Sequence, residues 1–148
     1  MQLIARMKPI RLIAACVLGF GMSACTGLTP LEPTTYSLRL GTLWTYPPLP
    51  VTSPDTVAIN ADFDVSFETT GGGCTKVGTT TVTMADSRTA ELRGYDNFIV
   101  SSAVCTADLR SLTHHATLRF GQTGAATLHV IGASGDSTIT ITKTVVVR

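Results

Sequence analysis

No Asp or Glu occurs before Glu32, and charge is sparse everywhere: Asp, Glu, Lys and Arg together make up 14% of 148 residues. Low charge with positive mean hydropathy excludes an intrinsically disordered chain, which needs the opposite balance. A strong net charge is also missing. The formal value is +1, and without residues 1–24 eight Lys/Arg stand against ten Asp/Glu. A nearly neutral, slightly acidic domain has no electrostatic footprint for nucleic acid. The chain has no apolar run of the roughly 20 residues a membrane-spanning helix needs. It has no CxxC pair, no GxSxG elbow, and no GK[ST] after Gly71-Gly72-Gly73. The usual signatures of thiol–metal, serine-hydrolase and phosphate-cradle chemistry are therefore absent.

What is present begins with an address. In "MQLIARMKPIRLIAACVLGFGMSAC", Arg6, Lys8 and Arg11 form a basic n-region. Leu12–Met22 forms an apolar h-region of about 11 residues, and the small residues Ser23 and Ala24 follow. This is the three-part layout of a secretory signal, complete even if translation starts at Met7. The h-region is apolar all round instead of along one stripe, which argues against an amphipathic helix of the folded domain.

Met22-Ser23-Ala24-Cys25 resembles the lipobox of bacterial lipoproteins, with Met22 at the position usually held by Leu. The resemblance covers about 25 residues. It implies diacylglyceryl transfer to the Cys25 thiol and cleavage before Cys25, which becomes the acylated amino terminus. Each buried methylene contributes roughly 0.8 kcal/mol, and two or three chains hold a protein on a membrane without a spanning helix. By analogy with family members in double-membraned cells, Thr26 in place of Asp after the lipid site implies the outer membrane. The expected location is thus the cell envelope, facing periplasm or cell surface.

The same resemblance bears on the other cysteines. Cys16 leaves with the signal and Cys25 carries lipid, so Cys74 and Cys105 remain in an oxidising compartment, where disulfides persist. They are expected to pair, with free buried thiols as the alternative. Closing about 30 residues stabilises by roughly 3–4 kcal/mol in the chain-entropy view.

Six of the seven prolines fall between Pro30 and Pro54, so residues 25–53 read as a lipidated amino terminus and an extended Pro-rich tether. Within it "TTYSLRLGTLWTY" can form a strand or hairpin, with Tyr36, Leu38 and Leu40 on one parity. Trp44 and Tyr46 would pack on the domain or sit at the lipid headgroups. From 54 to 148 the period is 2. Phe63, Val65 and Phe67 oppose Asp62, Asp64, Ser66 and Glu68; Val82 pairs with Met84 and Ala90 with Leu92. Ala116, Leu118 and Phe120 align, as do Ala126, Leu128 and Val130, and Ile139, Ile141, Val145 and Val147. Turn signals at 71–73, 85–87, 96–97, 121–124 and 134–136 divide these runs, and "CTADLRSL" has room for a helical turn. About seven short strands at this spacing predict an all-β antiparallel sandwich over 54–148.

"SPDTVAINADFDVSFETTGG" resembles the opening hairpin of bacterial immunoglobulin-like and fibronectin-like envelope domains. Cys74, behind a glycine run at a strand end, and Trp44, ahead of both cysteines, depart from the antibody pattern. An edge or loop-to-loop staple is therefore expected in place of a bridge between sheets.

Candidate chemistry is thin. His114 shares the parity of Ala116 and Leu118 and reads as semi-buried; His115 and His129 read as outward. Zinc held by one of the pair with His129 lacks a third ligand. Asp62, Asp64 and Glu68 line one strand face, short of the six to eight oxygens calcium takes. No catalytic residue, metal or cofactor is expected. The sequence points to a lipid-anchored, non-enzymatic domain engaging an envelope protein or glycan by its loops or sheet edge. A small envelope hydrolase or metal-dependent enzyme is the alternative.

Overall fold

The computed structural model describes residues 35–44, 48–100 and 104–148; the signal segment, the lipobox residues Met22, Ser23 and Ala24, and Cys25 lie outside them. Among the described residues there are nine strands: β1 (Tyr36–Leu40), β2 (Val51–Thr52), β3 (Thr56–Val57), β4 (Asp62–Gly71), β5 (Thr75–Met84), β6 (Thr89–Ile99), β7 (Arg110–Arg119), β8 (Gly124–Ser134) and β9 (Ser137–Val147). Strict alternation makes β4: Phe63, Val65 and Phe67 are buried while Asp62 and Asp64 face solvent. The same period runs through β6 and β8, where Ala90, Leu92, Ala126, Leu128 and Val130 are wholly inside. Side chains on one parity of each strand thus meet in a single core.

The strands form an all-β two-sheet sandwich. The larger sheet is centred on β6. Strand β5 lies along one edge of β6, and the other edge is shared. There β8 runs parallel to Thr89–Arg93, and β1 runs antiparallel from Tyr95 to Ile99. Beyond β8 come β9 and then β3, which lies parallel to the end of β9. The smaller sheet is β2-β4-β7, fully antiparallel. Seven strands, β3 to β9, fall in 54–148, and the parallel β3–β9 and β6–β8 pairs depart from the antiparallel expectation.

The sandwich begins before the expected boundary at Pro54, because part of the segment read as tether is built into it. After β1 the chain crosses between the sheets. Gly41 donates to Gly94 O at 2.8 Å, Leu43 donates to Ala133 O at 2.8 Å, and Thr70 of β4 donates to Thr42 O at 2.8 Å. Leu43 is almost completely buried in the core. Burying one such side chain stabilises by about 1.5–3 kcal/mol, and with four ladder-like hydrogen bonds it anchors the crossing. Sequence separation hid this: a lone Leu among prolines carries no period.

Two further expectations are corrected. The turn signal at Asp96-Asn97 is no turn, since β6 runs through it; the Asp96 carboxylate finds its partners on β4 and β7 instead of in its own backbone. The stretch 105–109 holds no helical turn, and 110–112 already belongs to β7. Cys74, at the β4–β5 turn, is disulfide-bonded to Cys105 in the β6–β7 connection, with Cα atoms 5.1 Å apart. The bond is the loop-to-loop staple expected, closing a separation of 31 residues.

Candidate functional site

Among the described residues, the buried polar residues cluster at one place. Thr69 continues the inward parity of Phe63, Val65 and Phe67 on β4, His114 that of Leu118 and Leu112 on β7, and Asp96 that of Leu92 on β6. All three are buried. The Thr69 hydroxyl donates to Asp96 Oδ2 at 2.7 Å. Having given its proton away, Thr69 Oγ1 can only accept from His114, so Nε2–H is shared between Thr69 Oγ1 and Asp96 Oδ1, each at 3.1 Å. His114 Nδ1 lies 3.2 Å from Thr80 Oγ1 on β5. A hydroxyl both donates and accepts, so Thr80 satisfies Nδ1 in the neutral ring and in the imidazolium alike. Every polar atom of the His114 ring and the Asp96 carboxylate is therefore paired, the condition for burial without a large penalty.

Local geometry makes room for this knot. A bulge between Val77 and Thr80 adds one residue to β5, so Thr80 stands opposite Gly94 on the inward face. Without it Thr80 would face solvent. The imidazole lies on Gly94, where a Cβ would come within 2.8–2.9 Å of three ring atoms. On its other side the ring stacks on Phe67, with centroids 5.3 Å apart and planes 16° apart. At Gly41 a Cβ would meet Asp96 Oδ2 at 2.8 Å and Thr69 even closer, so the crossing segment packs against the knot only as glycine.

The wiring differs from that of a nucleophilic triad. There the carboxylate holds Nδ1 and leaves Nε2 to take the nucleophile's proton. Here Thr69 and Asp96 share one nitrogen, and the Thr69 proton is already committed to the carboxylate. The arrangement fixes strands of both sheets to one another.

Beside the knot lies a cavity of about 270 Å³ that Asp96 helps to line. Arg39, Phe98 and Thr75 line it from the larger sheet; Thr42 and Thr70 line it from the crossing segment and β4. Arg39 is the direct cross-strand partner of Asp96. Its guanidinium nevertheless lies over the Phe98 ring, 4.4 Å from the centroid, and among the described residues it makes no ion pair. Thr70 also borders a smaller cavity of about 170 Å³ with Trp44, Leu49, Leu109 and Arg110. Trp44 is thus half-exposed at the domain surface.

The other residues singled out by sequence are dispersed. His115 faces out from β7 and His129 from β8, and no group of three or more His, Cys, Asp or Glu that could hold a metal forms among the described residues. Asp62 receives two hydrogen bonds from Arg119, at 2.7 and 2.9 Å, and these hold its carboxyl below the ordinary range. Asp64 accepts from Thr117 at 2.9 Å. Two members of the acidic strand face, Asp62 and Asp64, are thus held in cross-strand pairs.

Sequence reasoning placed His114 near the core but missed Asp96, Thr69 and Arg39. Asp96 lies two and four residues beyond Gly94 and Leu92 on one parity, a signal outweighed by the Asp-Asn turn propensity. Compared with known proteins, the chain matches no family model, no curated protein and no solved structure.

Proposed function

We propose that this chain is a lipid-anchored cell-envelope protein, held through Cys25 on the outer membrane, whose Ig-like sandwich is a non-catalytic binding module for another envelope protein. The supporting observation is a sheet edge that Lys76 and the bulge between Val77 and Thr80 leave open beyond Thr80. Strand β5 pairs with β6 alone among the described residues, and 79–84 (Thr-Thr-Thr-Val-Thr-Met) carries no charge and no proline. Natural edge strands are normally blunted by such residues. Val82 and Met84 stand opposite Leu92 and Ala90, so they point to the core side, yet they are 39% and 44% exposed. β7, the neighbouring strand of the smaller sheet, leaves them only partly covered. An extended peptide adding to β5 gains backbone hydrogen bonds and covers these two side chains.

A photo-crosslinking residue at position 81, compared with one at the exposed Thr140 on β9, tests the reading in envelope-bearing cells. A protein adduct specific to position 81, lost on Val82→Lys, supports it. Glycan adducts, self-adducts, or equal labelling at both positions overturn it. Cys25→Ser tests the anchor separately and should move the protein from the membrane to the soluble fraction.

A further inference from the structure

We infer that the cavity between Arg39 and Asp96 binds a small zwitterion of the α-amino acid type. The ligand ammonium donates to Asp96 and its carboxylate is taken by Arg39. This second site is lined by Thr75 at the start of β5 but by none of residues 79–84, and does not depend on the envelope-partner reading.

Three observations lead there. First, the two charges are cross-strand neighbours that decline each other: β1 and β6 place Arg39 directly across from Asp96, and the guanidinium instead rests 4.4 Å from the Phe98 centroid. An opposite pair at that spacing ordinarily closes into a charge-assisted hydrogen bond. Both groups border the same cavity without forming an ion pair with each other, so each charge is left to meet a ligand. Second, Asp96 is fixed: Thr69 and His114 each take one carboxylate oxygen, at 2.7 and 3.1 Å, leaving a further lone pair on each. Third, the size fits: at about 270 Å³ the cavity lies just below the 300–1,000 Å³ of common ligand sites and has room for a single amino acid.

Charge then decides the class. A simple anion meets the Asp96 carboxylate, and a simple amine meets the Arg39 guanidinium. A neutral molecule leaves both charges imperfectly paired on desolvation. Only a ligand carrying both signs satisfies both groups. The hydroxyls of Thr42, Thr70 and Thr75 add donors and acceptors around it, and Phe98 is left as the apolar contact for a short side chain.

The test uses the full chain in detergent, isotope-labelled for amide spectra and titrated with each of the common amino acids. Ethylamine and propionate serve as single-charge controls. At least one amino acid should bind, with shifts centred on Gly71, Gly72 and Phe98, and the two controls should bind tenfold or more weakly. Arg39 is exposed, so Arg39→Gln keeps the fold and should weaken binding about tenfold, equivalent to about 1.4 kcal/mol. Arg39→Glu should reverse the preference, so that ethylenediamine outcompetes the amino acid. A purely structural Arg39 would not produce that reversal. Absence of binding by every amino acid up to about 10 mM, where affinity would be below about 3 kcal/mol, overturns the inference. So does equal binding of the single-charge controls, or an Arg39→Gln protein that binds unchanged.

Discussion

His114→Leu should be among the most damaging single substitutions in the domain, for an electrostatic reason and not a steric one. Leucine is close to imidazole in volume, and the stack on Phe67 becomes an apolar contact, so packing should lose less than about 1.5 kcal/mol. What disappears is the Nε2–H that Asp96 Oδ1 accepts at 3.1 Å in a site where the aspartate is 4% exposed. A hydrogen bond to a charged group contributes about 1.5–3 kcal/mol, and stripping one partner from a buried pair costs about 3–5 kcal/mol. We therefore expect a loss of about 3–5 kcal/mol against the 5–15 kcal/mol typical of a domain, on the order of a third or more. Urea unfolding followed by circular dichroism, with unchanged denaturant slope, measures it. The double variant His114→Leu/Asp96→Leu removes the stranded charge and should be more stable than His114→Leu alone. A single variant within about 1 kcal/mol of wild type, or a strictly additive double, would refute the account of the knot.

The other expectations are more local. Gly94→Ala pushes a methyl into the His114 ring, which is confined by Phe67, and should cost about 1–3 kcal/mol by the same unfolding assay. Cys74→Ser/Cys105→Ser reopens a loop with a sequence separation of 31 and should cost about 3–4 kcal/mol; an unchanged midpoint would mean the staple contributes nothing. Arg119 lowers the Asp62 pKa, the Arg88 backbone N–H that of Asp86, and the Thr106 hydroxyl with Arg110 that of Asp108, all from 3.8. The unfolded chain binds those protons more readily than the folded one. The contribution is therefore present above the unfolded value and lost as pH falls through the lowered folded values. The unfolding midpoint should decline below about pH 4, and added salt should shrink the decline because all three groups are exposed. Val82→Lys and Met84→Lys should each leave stability within about 0.5 kcal/mol, as expected where a side chain is only partly covered, while abolishing the crosslink at position 81.

Much of this architecture was legible because burial imposes a period. Phe63, Val65 and Phe67, or Leu128 and Val130, announce their strands without knowledge of any partner. The pairing of Cys74 with Cys105 was legible once the lipobox resemblance removed the other two cysteines from consideration. Legibility ended where a residue's reason lies in a strand distant in sequence. Asp96 looks like a turn residue until Thr69 and His114, 27 and 18 positions away, supply its hydrogen bonds. Leu43 looks like tether until Ala133 and Gly94 hold the segment around it. The bulge that turns Thr80 inward leaves no mark in the Thr-Thr-Thr run. Arg39 was unremarkable in sequence, because its significance is a contact it does not make.

The central claim, a binding sandwich delivered to the envelope on a lipid, rests on Cys25. Intact-mass spectrometry of the protein extracted from membranes of expressing bacteria tests it most directly. The account predicts a chain that starts at Cys25, heavier than the peptide by a diacylglyceryl group with or without an amide-linked acyl chain, and lighter by two hydrogens for the Cys74–Cys105 bond. An unmodified chain still carrying residues 1–24, or one cleaved elsewhere and recovered from the soluble fraction, would contradict it.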